Sequence, residues 1–276
     1  MSAVAAELLK LRRSWSTSIL IGILALLQLL LGYVLLYFII QAPLSGEDAE
    51  LERAGLLIIV SPGNFVLNVL NMLASLGAAL ALVLGAMHSA REYGWRTIST
   101  LLTQGPTRLG VFGAKLASLA IVILIMVLVA FAVGAMGAAL VASLLGNPVA
   151  YPSLSDIAAG IAAGFLIAGA WATLGFALGF LLRSTGLAIG LGLVYALVIE
   201  NLVAGLAFLN ETVRAISHGL LGSNGSALAA SFGPEVPGGQ FGLLPIDPPV
   251  ASAVLAAYIV ISSVAAAVAL MRRDVT

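Results

Sequence analysis

The sequence predicts an all-α integral membrane protein with six transmembrane helices and both termini in the cytoplasm. Hydrophobic residues make up 61% of its 276 residues and charged residues only 9%, whereas soluble domains average about 45–50% and about 25%. Six apolar segments each supply the roughly 20 residues that a helix needs to cross a membrane. Nearly all basic residues lie in loops on one side of those segments, which indicates the orientation.

The predicted spans differ in length and in what flanks them. Span 1 follows three basic residues, as a signal peptide would, but it is too long for one and lacks a cleavage site, so we expect it to be retained. Span 3 is too long for one perpendicular crossing, so we expect it to tilt or to begin in the cytoplasm, with Lys115 snorkelling to the interface. The apolar segment 54–61 is too short to cross and is expected to lie at the surface or to re-enter. The six spans are predicted at 17–40, 63–87, 110–145, 157–182, 185–208 and 249–271.

The distribution of charge orients the chain in a cell inner or plasma membrane. Nine of the twelve basic residues precede span 1, follow span 6, or lie between spans 2 and 3 or between spans 4 and 5, and Lys115, near the beginning of span 3, is the tenth on that side. Arg53 and Arg214 are the two on the other side. The positive-inside rule therefore places both termini in the cytoplasm. The Gly-, Ser- and Pro-rich segment 210–248 then faces outward, and we expect it to contain short or re-entrant helices.

Composition excludes several kinds of site. The chain has no cysteine and two histidines, so we predict no disulfide, no thiolate nucleophile and no metal site. His88 and His218 are expected to be solvated in loops. No phosphate-binding G-x-x-x-x-G-K-[ST] motif occurs, so we expect no ATP hydrolysis by this chain alone. Neither a catalytic residue nor a nucleic-acid partner is predicted.

The segment "HSAREYGWRTISTLLTQGPTR", 88–108, is polar between two long apolar runs. On a helix, Trp95 and Leu101 fall on one arc, whereas Glu92 and Arg96 fall on another and form an i,i+4 pair in the favourable order. A Gly-Pro pair then ends the helix. The pattern predicts a short amphipathic helix at the cytoplasmic surface, which either rests in the lipid headgroups or binds a soluble protein.

The string "REYGWRTISTLLTQGPTRLGVFGAKLAS" resembles the cytoplasmic loop of the ABC transporter type-2 permease family. A weaker similarity covers "LLRSTGLAIGLGLVYALVIEN", 181–201, which is similar to the fourth-to-fifth loop and fifth span of that family. The first similarity spans under thirty residues, and its position between spans 2 and 3 of a six-span chain adds to its specificity. Its matching positions are Glu92, Tyr93, Thr97, Leu101, Leu102, Thr103, Pro106, Arg108 and Lys115.

The resemblance implies a division of labour between chains. The 88–108 helix would be a coupling helix that docks on a separate ATPase subunit, which would carry the ATP and Mg. The N-terminal stretch 1–16 would be an elbow helix, and its apolar positions do share one narrow helical face. Two permease chains, identical or paralogous, would pair with two ATPase chains in the lipid bilayer. The docking residues implied are Arg91, Glu92, Tyr93, Arg96, Thr97, Thr100 and Arg108.

Polar residues inside the spans are candidates for a substrate path. In span 2 four of them recur at spacings of four, three and four, which places them within about 60° on a helix. Such a stripe either lines the outer half of a path or holds the bundle together by hydrogen bonds between helices. Gln28 lies in the middle of span 1, where a packing hydrogen bond is favoured over a ligand contact. The stripe consists of Asn64, Asn68, Asn71 and Ser75.

Glu200 is the acidic candidate. It follows Arg183 by 17 residues, or about 25 Å of helix, so it lies in the outer part of the membrane. It could carry protons or contact substrate, or it could cap a helix end or bond the 210–248 segment. Asn201 and the span 2 asparagines are its expected partners. Glycine pairs at four-residue spacing in spans 4 and 5 also predict that these two spans pack tightly.

The function predicted is the membrane permease subunit of an ABC exporter that moves a hydrophobic or amphipathic substrate. One alternative is a proton-coupled secondary transporter that uses Glu200, although no inverted repeat or set of intramembrane charges supports it. A non-transporting, ATPase-coupled membrane anchor is a second alternative, which the sequence does not separate from export. An intramembrane hydrolase is disfavoured because no nucleophile or metal constellation is visible.

Overall fold

The computed structural model describes residues 14–42, 49–94, 107–207, 210–234 and 246–272. Within these ranges six helices are long and apolar enough to cross a membrane, as the sequence predicts. The predicted elbow helix at 1–16 falls almost entirely outside the described residues, and the cytoplasmic location of the termini stays a prediction. The helices are Trp15–Gln41, Pro62–Ala90, Leu109–Leu144, Leu154–Leu182, Thr185–Leu206 and Pro248–Arg272, called spans 1 to 6.

The end of the bundle where span 4 turns into span 5 and span 6 finishes is called the basic end here, after Arg183 and Arg272. The helix of span 2 continues beyond its apolar part to Gly94. The helix of span 3 begins at Arg108, and the Thr107 hydroxyl caps it by accepting a hydrogen bond from the Gly110 N–H at 3.1 Å. Segment 95–106 therefore joins two helix ends at the basic end.

Three spans are interrupted by one π turn each, in which the backbone bonds i to i+5. The extra residue shifts every later side chain around the helix, so regular 3.6-residue counting fails across it. The turns are Leu30–Val34 in span 1, Leu73–Gly77 in span 2 and Tyr195–Ile199 in span 5.

Three shorter helices complete the described part of the chain. Helix α1, Ala49–Val60, contains the 54–61 segment and has 12 residues, so it is too short to cross, as predicted. Helices α2, Glu211–Ser217, and α3, Leu221–Ala230, lie in the segment between spans 5 and 6. The expectation of short helices in 210–248 is thus confirmed.

Spans 2 and 4 form the centre of the bundle, and they touch backbone to backbone. A Cβ at Gly85 would overlap the carbonyl of Ala172, and one at Gly175 would overlap the carbonyl of Leu82. Only glycine permits this approach, which brings the two helices into contact along their length. Span 4 therefore packs tightly, as its glycine spacing predicts, and its partner at these glycines is span 2. The glycines of span 5 at 186 and 190 meet nothing within 4 Å.

Candidate functional site

Helix α3 lies inside the bundle, beside the middle of spans 2 and 4. A Cβ built on its Gly225 would lie 3.6 Å from the Cβ of Ala74 in span 2 and 3.5 Å from Ile167 in span 4. These two residues are 12 and 13 residues from the ends of their spans opposite the basic end (62 to 74 and 154 to 167). That is about 18–20 Å of helix, against a hydrocarbon core of about 30 Å. We therefore call α3 the re-entrant helix.

The deepest part of the re-entrant helix is its N-terminus. Gly233, just beyond its C-terminus, packs against Leu67, which lies nearer the beginning of span 2 than Ala74 does. The helix therefore runs from mid-membrane back toward the end opposite the basic end. Its first N–H groups have no partner within the helix, and at this depth water is scarce. They require an acceptor from the protein.

Glu200 of span 5 supplies that acceptor. Its carboxylate accepts hydrogen bonds from the backbone N–H of Leu221 at 3.0 Å and of Gly222 at 2.5 Å. The side chain is only 4% exposed. The preceding Leu220 offers no side-chain cap, so the negative charge from another helix takes that role, where the helix dipole favours it. The sequence leaves several roles open for Glu200, and its described contacts are those of a helix cap.

Two tyrosines extend this polar cluster. The Tyr195 side chain interacts with Glu200 and with the hydroxyl of Tyr258 in span 6. The Tyr258 hydroxyl donates to the carbonyl oxygen of Gly219 at 3.0 Å, just before the re-entrant helix begins. Tyr195 and Glu200 are five residues apart, and the π turn between them stacks them on one face. Spans 5 and 6 thus both hold the N-terminal end of the re-entrant helix.

Several buried polar atoms near this level have no hydrogen-bond partner in the described structure. On the re-entrant helix these are the Ser223 hydroxyl and the Asn224 Oδ1, although the Asn224 Nδ2 donates to the His218 and Leu220 carbonyls at 2.8 and 2.7 Å. On spans 4 and 6 they are the Trp171 Nε1 and the Ser263 hydroxyl. Unpaired polar atoms in an apolar interior cost free energy. Such atoms are unusual in an interface that serves packing alone.

The predicted stripe in span 2 is not continuous. Asn64 lies in the 3₁₀ turn Pro62–Asn64 ahead of the helix and donates to the Ile58 carbonyl at 3.2 Å. Ser75 lies within the π turn, is exposed, and donates to the Asn71 carbonyl at 2.8 Å. Because the turn types at both ends rotate these side chains, the single polar face that α-helical spacing predicts does not form.

Asn68 is the buried member of that set, and it bonds to span 1. It accepts a hydrogen bond from the Gln28 Nε2 at 2.8 Å, and its own Nδ2 donates to the Gly32 carbonyl at 3.1 Å. Gln28 is fully buried and its Oε1 has no partner in the described structure. Gln28 thus makes the packing hydrogen bond that the sequence favours. Its ligand role, like that of the other path candidates, stays a prediction.

The expected contact between Glu200 and Asn201 was wrong. The Asn201 side chain is exposed and its Nδ2 donates to the carbonyls of Ala196 and Leu197 at 3.3 and 3.1 Å. The partners of Glu200 are instead the backbone N–H groups of Leu221 and Gly222 and the side chain of Tyr195.

The prediction that His88 is a solvated loop residue was wrong. His88 is buried in the helix of span 2, and its Nε2 lies 3.0 Å from the Lys115 carbonyl and 2.9 Å from the Ser118 hydroxyl of span 3. Since a carbonyl only accepts, the Nε2 carries a proton. The ring also stacks on Phe176 of span 4 at a centroid distance of 6.0 Å. His88 therefore joins three spans near the basic end. His218, in contrast, is exposed as expected.

Lys115 is buried, with 3% of it exposed. It lies seven residues into the helix that starts at Arg108, and its backbone carbonyl contacts His88 of span 2. The snorkelling of its side chain to the membrane interface stays a prediction.

Three of the seven predicted docking residues lie outside the described part of the chain, and of the other four only the backbone is described. Segment 95–106 includes Arg96, Thr97 and Thr100, and nothing is described of the side chains of Arg91, Glu92, Tyr93 and Arg108. Residues 88–94, the first part of the predicted coupling helix, continue the helix of span 2. Within the described residues no group of three His, Asp or Glu side chains could hold a metal ion.

Sequence reasoning missed His88, Tyr195 and Tyr258. Tyr195 and Glu200 are separated by five residues, which in an α-helix places them on different faces, so only the π turn brings them together. His88 sits at the end of an apolar run where a loop was a reasonable expectation. No pattern in the sequence marks its partners, Ser118 and the Lys115 carbonyl, which lie about thirty residues away.

One family model matches the chain. It is described as "Protein of unknown function (DUF2705)" and matches residues 57–276. This range is about four fifths of the chain and contains spans 2 to 6, the re-entrant helix, and the buried contacts of Glu200 and His88. No curated protein matches the sequence. The description states no activity, so a function must be argued from the residues themselves.

Proposed function

The chain belongs to the DUF2705 family, and within it we propose that it is the membrane permease subunit of an ABC transporter. It would export a hydrophobic or amphipathic substrate, using ATP hydrolysed by a separate subunit that binds the ATP and Mg. The observation that carries transport is the re-entrant helix, whose N-terminus lies at mid-membrane with its N–H groups held by the buried Glu200 carboxylate. Discontinuous helices that end at mid-membrane are a recurring feature of transporter sites.

The proposed coupling to an ATPase rests on the basic end. Segment 95–106, whose residues resemble the coupling loop of type-2 permeases, joins two helices that are firmly connected at their base. His88 bonds the end of span 2 to Lys115 and Ser118 near the beginning of span 3. A force applied to the segment would therefore move both spans together. A non-transporting anchor would not require polar groups at mid-membrane.

The Glu200 contacts disfavour the proton-coupled alternative. A proton carrier must exchange protons with water from each side in turn, whereas this carboxylate is 4% exposed and bonded to two backbone N–H groups. Its protonation would remove the negative charge that strengthens both hydrogen bonds to the re-entrant helix. We therefore propose that Glu200 has a structural role in the path and that the energy comes from a partner subunit.

Purification of the tagged chain from its native membrane, followed by ATPase assays in lipid vesicles, tests this proposal. We expect an ATPase subunit to copurify, and the Glu92→Ala/Arg96→Ala double variant to lose most of it. The matched control is Glu50→Ala/Arg53→Ala, an exposed pair on α1 at the opposite end, which should retain the subunit. If the chain purifies without a nucleotide-hydrolysing partner, or if both double variants behave alike, the ABC assignment fails.

A further inference from the structure

The re-entrant helix occupies the space between four spans. It contacts Ala74 of span 2 and Ile167 of span 4 through Gly225, and Glu200 of span 5 through its first N–H groups. The turn before it is held by Tyr258 of span 6. Anything that passes between these spans in the half of the membrane away from the basic end must displace this helix.

The helix is weakly attached by its side chains. Two of its ten residues, Leu221 and Leu228, are large and apolar, and the other eight are Gly, Ala, Ser or Asn. Small side chains make few van der Waals contacts each, so side-chain packing holds this helix less firmly than large apolar residues would. The unpaired Ser223 hydroxyl and Asn224 Oδ1 oppose its seating. The two charge-assisted bonds to Glu200 are therefore a large share of what keeps it in place.

We propose that the re-entrant helix is a movable gate that closes the path on the side opposite the basic end, and that Glu200 is the positioning residue that latches it. This inference rests on the proposed transport function. In the closed state the carboxylate holds the Leu221 and Gly222 N–H groups. When the spans move apart, the latch opens, the helix leaves its place between them, and the unpaired polar atoms around Ser223 face the passage.

A reversible disulfide tests the movement of the helix. The chain has no cysteine, and the Cβ positions of residues 74 and 225 are 3.6 Å apart, within the range of about 3.5–4.5 Å for disulfides. The Ala74→Cys/Gly225→Cys variant, oxidised, locks the helix in its described position. We expect ATPase turnover of the assembled complex in lipid vesicles to fall severalfold on oxidation and to recover on reduction. The two single-cysteine variants should not respond.

A labelling experiment tests the latch without any ATPase partner. In a Ser223→Cys variant, a membrane-impermeant sulfonated maleimide should react slowly. Adding Glu200→Ala removes both acceptors and should accelerate labelling by about tenfold to a hundredfold, as expected for lost hydrogen bonds to a charged group. Gly222→Ala should act in the same direction, because its Cβ would overlap the Glu200 carboxylate. Gly205→Ala, whose Cβ would meet nothing within 4 Å, is the matched control.

The outcomes separate the two proposals. Full turnover in the oxidised double-cysteine variant would show that the helix is static, and the gate would be wrong even if the ATPase assignment holds. Equal labelling rates with and without Glu200 would overturn the latch. If no ATPase copurifies, the proposed function fails, whereas accelerated labelling in folded Glu200→Ala and Gly222→Ala proteins, judged by size-exclusion profiles, still supports a latched gate.

Discussion

Glu200 accepts hydrogen bonds from the backbone of a ten-residue helix, whereas His88 bonds to two groups of a span that runs the length of the bundle. Both side chains are buried and polar, and both link elements that are distant in sequence. The first holds an element that enters the membrane only half way. The second joins helices that cross it completely, so the two links resist different motions.

The surroundings of Glu200 and His88 differ in the same way as their contacts do. His88 stacks on Phe176, which in turn packs edge-on against Phe180 at a centroid distance of 4.9 Å. One turn away, spans 2 and 4 touch backbone to backbone at Gly85. Around Glu200 the re-entrant helix instead presents small side chains and unpaired polar atoms. The end near His88 is therefore built to move as one body, and the region near Glu200 is built to open locally.

The largest effect is expected from removing the Glu200 carboxylate, measured as hydrogen exchange in the helix that it caps. Glu200→Ala leaves the Leu221 and Gly222 N–H groups without an acceptor, which costs about 2–3 kcal/mol of local stability. Exchange should accelerate by about thirtyfold or more through Leu221–Ala230. The melting temperature of the whole bundle should change little, because spans 1 to 4 do not depend on this cap.

The helix of span 2 provides the internal control for that experiment. Exchange between residues 78 and 90 should be unchanged in Glu200→Ala. If protection is lost equally in both regions, Glu200 supports the whole bundle, and the contrast between a local and a global link disappears.

His88→Phe is expected to have a smaller but global effect. Phenylalanine keeps a ring against Phe176 but removes the N–H that is bonded to the Lys115 carbonyl and Ser118. Because the Ser118 hydroxyl still donates to that carbonyl at 2.8 Å, the loss should be about 1 kcal/mol, or a few degrees in melting temperature. Thermal unfolding in detergent measures it.

The exposed histidine gives a matched control for that change. His218→Phe makes the same substitution on a surface position and should alter the melting temperature by less than His88→Phe does. A double-mutant cycle with Ser118→Ala should give a coupling of about 0.5 kcal/mol or more. Independent, additive effects of the two substitutions would mean that His88 does not link the spans.

Six helices of nearly the correct extent could be predicted because length and hydropathy are properties of each segment alone. Segment 54–61 was recognised as too short for the same reason. The partner of each helix was harder to predict, since the glycines of span 4 could face any neighbour. They face span 2 because Gly85, isolated in its own helix, completes the contact.

Polar contacts within the bundle were predictable only where the helices stay regular. The packing role of Gln28 was expected, whereas the stripe containing Ser75 was misjudged and the contact between Tyr195 and Glu200 was missed. In both failures a π turn shifts the side chains by one residue, and nothing in the residue types of these segments announces it. Glu200 itself was found, since a carboxylate within an apolar run is rare, but backbone N–H groups carry no sequence signal.

The smallest effect is expected at the bond between spans 1 and 2, and it separates packing from a role in the path. Asn68→Leu alone deprives the buried Gln28 amide of its partner and should cost about 1–2 kcal/mol. Gln28→Leu/Asn68→Leu removes both amides, and also the Gln28 Oε1 that is already unpaired, so it should lie within about 0.5 kcal/mol of wild type. Thermal unfolding measures both, and ATPase turnover of the assembled complex provides the second readout. If the double variant is stable and fully active, Gln28 and Asn68 serve packing, as His88 does, and the path is confined to the polar atoms around Glu200. If it is stable but has reduced turnover, the path extends to span 1, and the distinction between polar groups for packing and polar groups for the path disappears.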